Sequence, residues 1–106
     1  MVSMKEIKAF SARIAKEFKP RRIVLFGSYA DGAPTDDSDV DLLVVLSHKG
    51  RAVEKSVELR MKLRPSFPLD ILVRTPEKIR ERVAMGDSFM RDILSKGKVL
   101  YEADDR

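Results

Sequence analysis

With 106 residues, 43% of them apolar, the chain has material for one hydrophobic core and is expected to form a single domain over residues 1–106. The absence of cysteine excludes a disulfide framework and thiolate metal sites, and no apolar run nears the ~20 residues of a membrane span; Met1 to Glu6 also lack the long apolar stretch of a secretion signal, so a cytoplasmic protein with no membrane partner is expected. The net charge of +4 is polarised: residues 31–41 hold five acids and no base, which leaves −5 there and +9 on the rest and suggests a cation site set in a basic body.

Ser3-Met4-Lys5-Glu6 has the form of a capping box, and Ile7, Phe10, Ile14 and Phe18 follow at helical spacing until Pro20 stops the helix. Ile23-Val24-Leu25-Phe26 reads as a short buried strand that Gly27 ends, with Ser28 opening a brief helical turn. Residues 31–38 are loop chemistry throughout, and Val40 to Leu46 is apolar enough for a central strand. From Arg51 to about Leu63, Val53, Val57 and Met61 recur every fourth residue with Leu59 and Leu63 beside them, which predicts an amphipathic helix buried on that face.

Pro65 and Pro68 bracket a loop before a strand over Leu69–Val73. Thr75-Pro76-Glu77 supplies an N-cap, a proline at the first helical position and an early acid, and Ile79 and Val83 give that helix its inner side. Gly86 breaks it; a further helix from about Asp87 carries Phe89, Ile93 and Leu94, Gly97 stops it, and Val99-Leu100-Tyr101 adds a short strand before a solvated tail, Glu102–Arg106. The order of elements predicts an α/β (α+β) domain in which helices cover a small mixed sheet.

Three features within this frame point to chemistry. Gly27-Ser28 leaves a buried strand and enters a helix, where unpaired amides attract phosphate oxygens and glycine allows close approach; alone, the pair is usually a plain turn. Asp39 and Asp41, two apart at the mouth of a strand, point to one side roughly 6.5–7 Å from each other, a spacing that suits oxygen-preferring magnesium ions but also occurs in calcium loops and solvated turns. Asp70 lies inside Leu69-Asp70-Ile71-Leu72-Val73 on the face opposite Leu69, Ile71 and Val73, either as a salt-bridge partner of an arginine or as a third carboxylate of the same site.

Together these residues resemble the minimal nucleotidyltransferase family, the smallest members of the polymerase-β-like superfamily: Leu25-Phe26-Gly27-Ser28-Tyr29-Ala30-Asp31-Gly32, ten residues between Ser28 and Ser38-Asp39-Val40-Asp41, and a third acid in Pro68-Leu69-Asp70-Ile71-Leu72. The resemblance covers about residues 5–100 and implies the polymerase-β-like fold. It implies that Gly27 and Ser28 hold the β and γ phosphates of ATP, that Asp39, Asp41 and Asp70 are catalytic and bind two Mg²⁺, and that AMP passes to an acceptor hydroxyl with release of pyrophosphate. Many family members carry arginine where this chain has Asp31, which removes a cationic contact near the triphosphate.

The catalytic fold consumes about 100 residues and leaves no acceptor-binding domain, so the resemblance implies an acceptor on another chain: a HEPN-class toxin, modified at a tyrosine, in a hetero-oligomer for which this protein is the antitoxin. The alternatives are a module that silences its partner by occlusion alone, or transfer to an RNA end or a small hydroxyl compound. No aromatic-basic platform favours nucleic acid, because Phe10, Phe18 and Phe26 are better spent in the core. Tyr29 is expected to stack on a nucleotide or pack the turn, His48 to be exposed, Arg74 to lie on the surface or reach phosphate, and Arg60, Lys62 and Arg64 to meet a helix dipole, an acidic partner or the triphosphate.

Overall fold

The computed structural model describes residues 1–104. Ser3 caps the first helix as its sequence requires: its hydroxyl accepts from the Glu6 amide at 3.1 Å, and Glu6 accepts in return from the Ser3 amide at 3.0 Å. Helix α1 (Met4–Phe18) then buries Ile7, Phe10 and Ile14. Strand β1 (Arg22–Phe26) leads into the single-turn α2 (Ser28–Asp31), and β2 (Val40–Val45) returns alongside. Helix α3 (Ala52–Leu63) crosses over to β3 (Leu69–Arg74); α4 (Pro76–Ala84) and α5 (Ser88–Lys96) follow, and β4 (Lys98–Glu102) closes the sheet.

The sheet order is β3-β2-β1-β4, with β1 antiparallel to both β2 and β4 and β2 parallel to β3. Alternation along the strands divides the core in two. Ile23, Leu25, Leu42, Val44 and Val73 face α1, α2 and α3, whereas Val24, Leu43 and Val45 face Met90 and Ile93 of α5, with Leu72, Ile79 and Val83 packed around them. The predicted small mixed sheet covered by helices is therefore the observed one. Thr75 caps α4 as predicted, and Asp87, expected only as the approximate start of the next helix, caps α5; each accepts a backbone N–H at 3.1 Å.

Two expectations are corrected. On α3 the buried stripe is Leu59 and Leu63, continued by the half-buried Ala52 and Ser56, while Val53, Val57 and Met61 are 55%, 52% and 72% exposed. Residues 52, 56, 59 and 63 follow the true 3.6-residue period. Leu59→Ala is accordingly expected to cost about 2–5 kcal/mol and Val57→Ala less than about 0.5, measured by denaturant unfolding. Glu102 is not tail: it ends β4 and pairs with Arg22 at 3.1 Å, and the Ala103 amide donates to the Arg21 carbonyl at 2.9 Å. Asp105 and Arg106 of the expected solvated tail lie outside the described residues.

Candidate active site

The sheet register builds one row of residues across three strands: Phe26 of β1 stands opposite Asp41 of β2, and Asp41 stands beside Asp70 of β3. Asp41 shares the alternation of Leu43 and Val45, and Asp70 that of Leu72, so both carboxylates project on the face covered by α4 and α5. Each lies at the start of its strand, beyond the cover of the helices. Asp39, just before β2, is exposed and its charge reaches Asp41.

Asp41 carries the electrostatic signature of the site. Burial first, then the Asp70 carboxyl within hydrogen-bonding reach and the nearby charge of Asp39, push its carboxyl up to about 6. Among the described residues none of the three acids has a lysine or arginine in ion-pairing contact. The arginine-paired reading of Asp70 is thus set aside. Among the described residues no three acidic, histidine or cysteine side chains are gathered closely enough to hold a metal ion as they stand. Asp39 is near enough for its charge to act on Asp41, while Asp70 is the closer partner of that carboxyl. Unpaired oxygen donors that disfavour one another's charge fit a divalent cation, which would reverse the electrostatic cause of the raised Asp41 value.

Gly27 meets this row directly. Its φ of +77° is one that side-chain-bearing residues rarely adopt, and a Cβ there would run into the Asp41 carboxylate, with its Cγ at 3.3 Å. The amides of Ala30 and Asp31 both donate to the Gly27 carbonyl at 3.0 Å, which leaves the Ser28 and Tyr29 amides at the open start of the turn. Tyr29 itself is buried in the core, its hydroxyl accepting from the Val2 amide at 3.1 Å, so it packs the turn and does not stack on a ligand.

Two clefts flank the row and share Phe89, which is 56% exposed with its ring edge-on to Phe26 at 5.9 Å. The smaller, about 250 Å³, is lined by Gly27, Asp31, Asp92 and Lys96, and Lys96 pairs there with Asp92 at 3.9 Å. The larger, about 750 Å³, runs along β3 past Leu72, Arg74, Lys78 and Arg82. His48 lines it as well, half-buried, with Nδ1 3.2 Å from the Lys49 carbonyl. Arg74 donates to its own neighbour's carbonyl on Val73 at 2.7 Å, Arg60 donates to the Leu69 carbonyl at 2.5 Å, and Lys62 pairs with Glu17 at 3.6 Å. Sequence reasoning missed Phe89 and Lys96: they sit on a helix some sixty residues after Gly27, and only the crossing of α5 beneath the sheet brings them to the site.

The chain matches the family model described as polymerase beta, nucleotidyltransferase, over residues 7–106. It is 32% identical over 100 residues to the candidate protein adenylyltransferase MJ0604 of Methanocaldococcus jannaschii, covering 92% of this chain and 96% of that protein. A second candidate protein adenylyltransferase of that organism, MJ0141, is 37% identical over 70 residues, which is 66% of this chain and 70% of that protein. Among solved structures, a candidate nucleotidyltransferase from Sulfolobus solfataricus superposes with a TM-score of 0.65 at 20% identity, over 95% of this chain and 81% of that one. A toxin-antitoxin crystallised with AMP-PNP gives a TM-score of 0.58 at 19% identity, over 92% of this chain and 74% of that one, a likeness of fold.

Proposed function

The chain belongs to the polymerase-β nucleotidyltransferase family, and from that premise we propose that it transfers AMP from ATP to a hydroxyl, a tyrosine by preference, on a HEPN-type toxin for which it is the antitoxin. The observation that carries the reading is the single row in which Gly27 abuts Asp41 and Asp41 adjoins Asp70. It sets a phosphate-accepting turn against a carboxylate group that lacks a basic partner. Similarity to candidate protein adenylyltransferases supports a protein acceptor, and a toxin-antitoxin of the same fold crystallised with a nucleotide supports the toxin pairing.

In this reading the Ser28 and Tyr29 amides and the Ser28 hydroxyl bind the β and γ phosphates. Lys96 lies close enough to the same cleft to steady them in place of the arginine replaced by Asp31. Asp39, Asp41 and Asp70 would hold Mg²⁺. When bound, it neutralises charge on the α-phosphate and on the departing oxygen. Asp70, at the β3 flank, accepts the proton of the attacking hydroxyl. An oxygen–phosphorus bond forms to the acceptor, the bond to pyrophosphate breaks, and pyrophosphate leaves on the Gly27 side.

Incubation with ATP, Mg²⁺ and the toxin is expected to raise the toxin's mass by whole adenylyl increments and to silence it. A doubly substituted Asp39→Asn, Asp41→Asn protein is expected to do neither. Silencing by that variant, with no mass gain, would mean that occlusion rather than transfer is the antitoxin's mode of action.

A further inference from the structure

We propose that the cleft along the outer edge of β3 is the track on which the acceptor lies, taken as an extended, acidic polypeptide segment that passes beside Asp70. The inference rests on the nucleotidyl-transfer reading above and names the substrate's shape and charge. Direction comes first. The sheet order places Gly27, at the end of β1, on one flank of the Asp41–Asp70 pair and the edge of β3 on the other. With pyrophosphate leaving on the Gly27 flank, an in-line attack enters from the opposite side. The cleft of about 750 Å³ opens on that side: its lining on β3 begins at Ile71 and Leu72, directly after Asp70, and none of the three carboxylates is part of it.

The backbone of β3 suits an extended guest. Val40 and Leu46 of the β2 segment donate to the carbonyls of Pro68 and Arg74, both at 3.0 Å, so the even-numbered groups of this strand are spent inside the sheet. The odd-numbered groups of Leu69, Ile71 and Val73 therefore face outward; Arg60 and Arg74 already donate to the Leu69 and Val73 carbonyls, which leaves the outward amides and the Ile71 carbonyl for an extended guest. Val53, Ile71, Leu72 and Phe89 give the cleft apolar walls, and the exposed Val57 carries that surface on along α3.

Charge selects the guest. Lys78 is paired with Glu81 at 3.0 Å and Arg82 with Asp87 at 2.9 Å, but Arg60 and Arg74 have no acid partner among the described residues. Their guanidinium groups rest on the outward carbonyls of Leu69 and Val73, four residues and so roughly 13 Å apart along the edge. Arg74 lines the cleft and Arg60 stands past its end at Leu69, so acidic side chains on a segment long enough to run the whole edge would meet both. RNA would also find these charges, but Phe89 is the one phenylalanine, tyrosine or tryptophan ring in the lining, with only the His48 imidazole besides, which is a poor stacking platform for bases.

The test uses fluorescent random copolymers as probes, binding being followed by anisotropy with the full chain. Poly(Glu,Tyr) is expected to bind at least tenfold more tightly than poly(Lys,Tyr) or poly(U). The Arg60→Glu, Arg74→Glu variant is expected to lose at least tenfold of that affinity while keeping its affinity for a nonhydrolysable ATP analogue. A Lys5→Glu, Lys8→Glu variant on α1, with the same change in net charge, should lose less than threefold. Arg60→Gln with Arg74→Gln, which keeps a donor for each carbonyl, guards against misfolding and should lose affinity in the same direction. Equal losses in the β3-edge and α1 variants would overturn the proposal, as would tighter binding of poly(U) dependent on Arg60 and Arg74. In either case normal binding of the ATP analogue would leave the nucleotidyl-transfer reading standing; failure of the wild type to bind the analogue at all would sink both.

Discussion

Replacing Asp41 by asparagine is expected to abolish adenylyl transfer and, in the same molecule, to make the metal-free protein harder to unfold. Transfer from α-labelled ATP should fall about a thousandfold or more, since a charge aimed at the reacting phosphate is lost from a preorganised site. The stabilisation follows from the raised Asp41 value. A carboxyl held at about 6 in the fold, against an ordinary 3.8, stays protonated while the unfolded chain ionises. The wild type therefore loses stability as pH rises from about 4 to about 6, and the loss persists above that window.

Asparagine carries no such cost. After allowance for solvent screening the gain is about 1 kcal/mol, a Tm increase of roughly 4–8 °C at pH 8 that vanishes near pH 3. Thermal melts in chelator across this pH range check the sign. Added Mg²⁺ should raise the wild-type Tm and leave the variant nearly unchanged. Equal or lower stability of Asp41→Asn at pH 8 would mean that the three carboxylates are not in electrostatic conflict.

Gly27→Ala is expected to damage both fold and chemistry although it adds one methyl group. The Gly27 φ of +77° with ψ of −158° is a region adopted almost only by glycine and costs a side-chain-bearing residue about 1–3 kcal/mol. The new Cβ also meets the Asp41 carboxylate. Either β1 or Asp41 must give way, and a shift of the order of 1 Å in a reacting group costs about a hundredfold in rate. Gly32→Ala is the control: its φ is also +77°, but nothing lies within 4 Å of an added Cβ. Denaturant unfolding should show a loss in both variants, whereas transfer activity should collapse only for Gly27→Ala. Equal activities in the two would mean that the contact with Asp41 has no part in the reaction.

Much of the fold is written plainly in the order of residues. Capping residues at Ser3 and Thr75 and terminators at Pro20, Gly27 and Gly97 mark element ends by local chemistry, and a short β-branched and leucine run such as Leu42–Leu46 suits a strand buried on both faces. The face of α3 was harder to read. Val53, Val57 and Met61 recur every four residues, a spacing that drifts around the helix, and only the sheet beneath shows that Ala52, Ser56, Leu59 and Leu63 are the inner row. The site divides similarly. Asp39, Asp41 and Asp70 declare themselves because charges beside apolar strand residues demand a reason. That Asp41 lies next to Asp70 depends on strand register, and that Phe89 and Lys96 border the same clefts depends on where α5 crosses. Neither leaves a local trace.

The most direct measurement is Mn²⁺ binding, in place of Mg²⁺, followed by electron paramagnetic resonance with a nonhydrolysable ATP analogue present. The wild type is expected to bind two ions per chain, and Asp41→Asn and Asp70→Asn to bind one or none while remaining folded. Wild-type stoichiometry and affinity in both variants would contradict the assignment of these carboxylates as the metal-holding group of the enzyme.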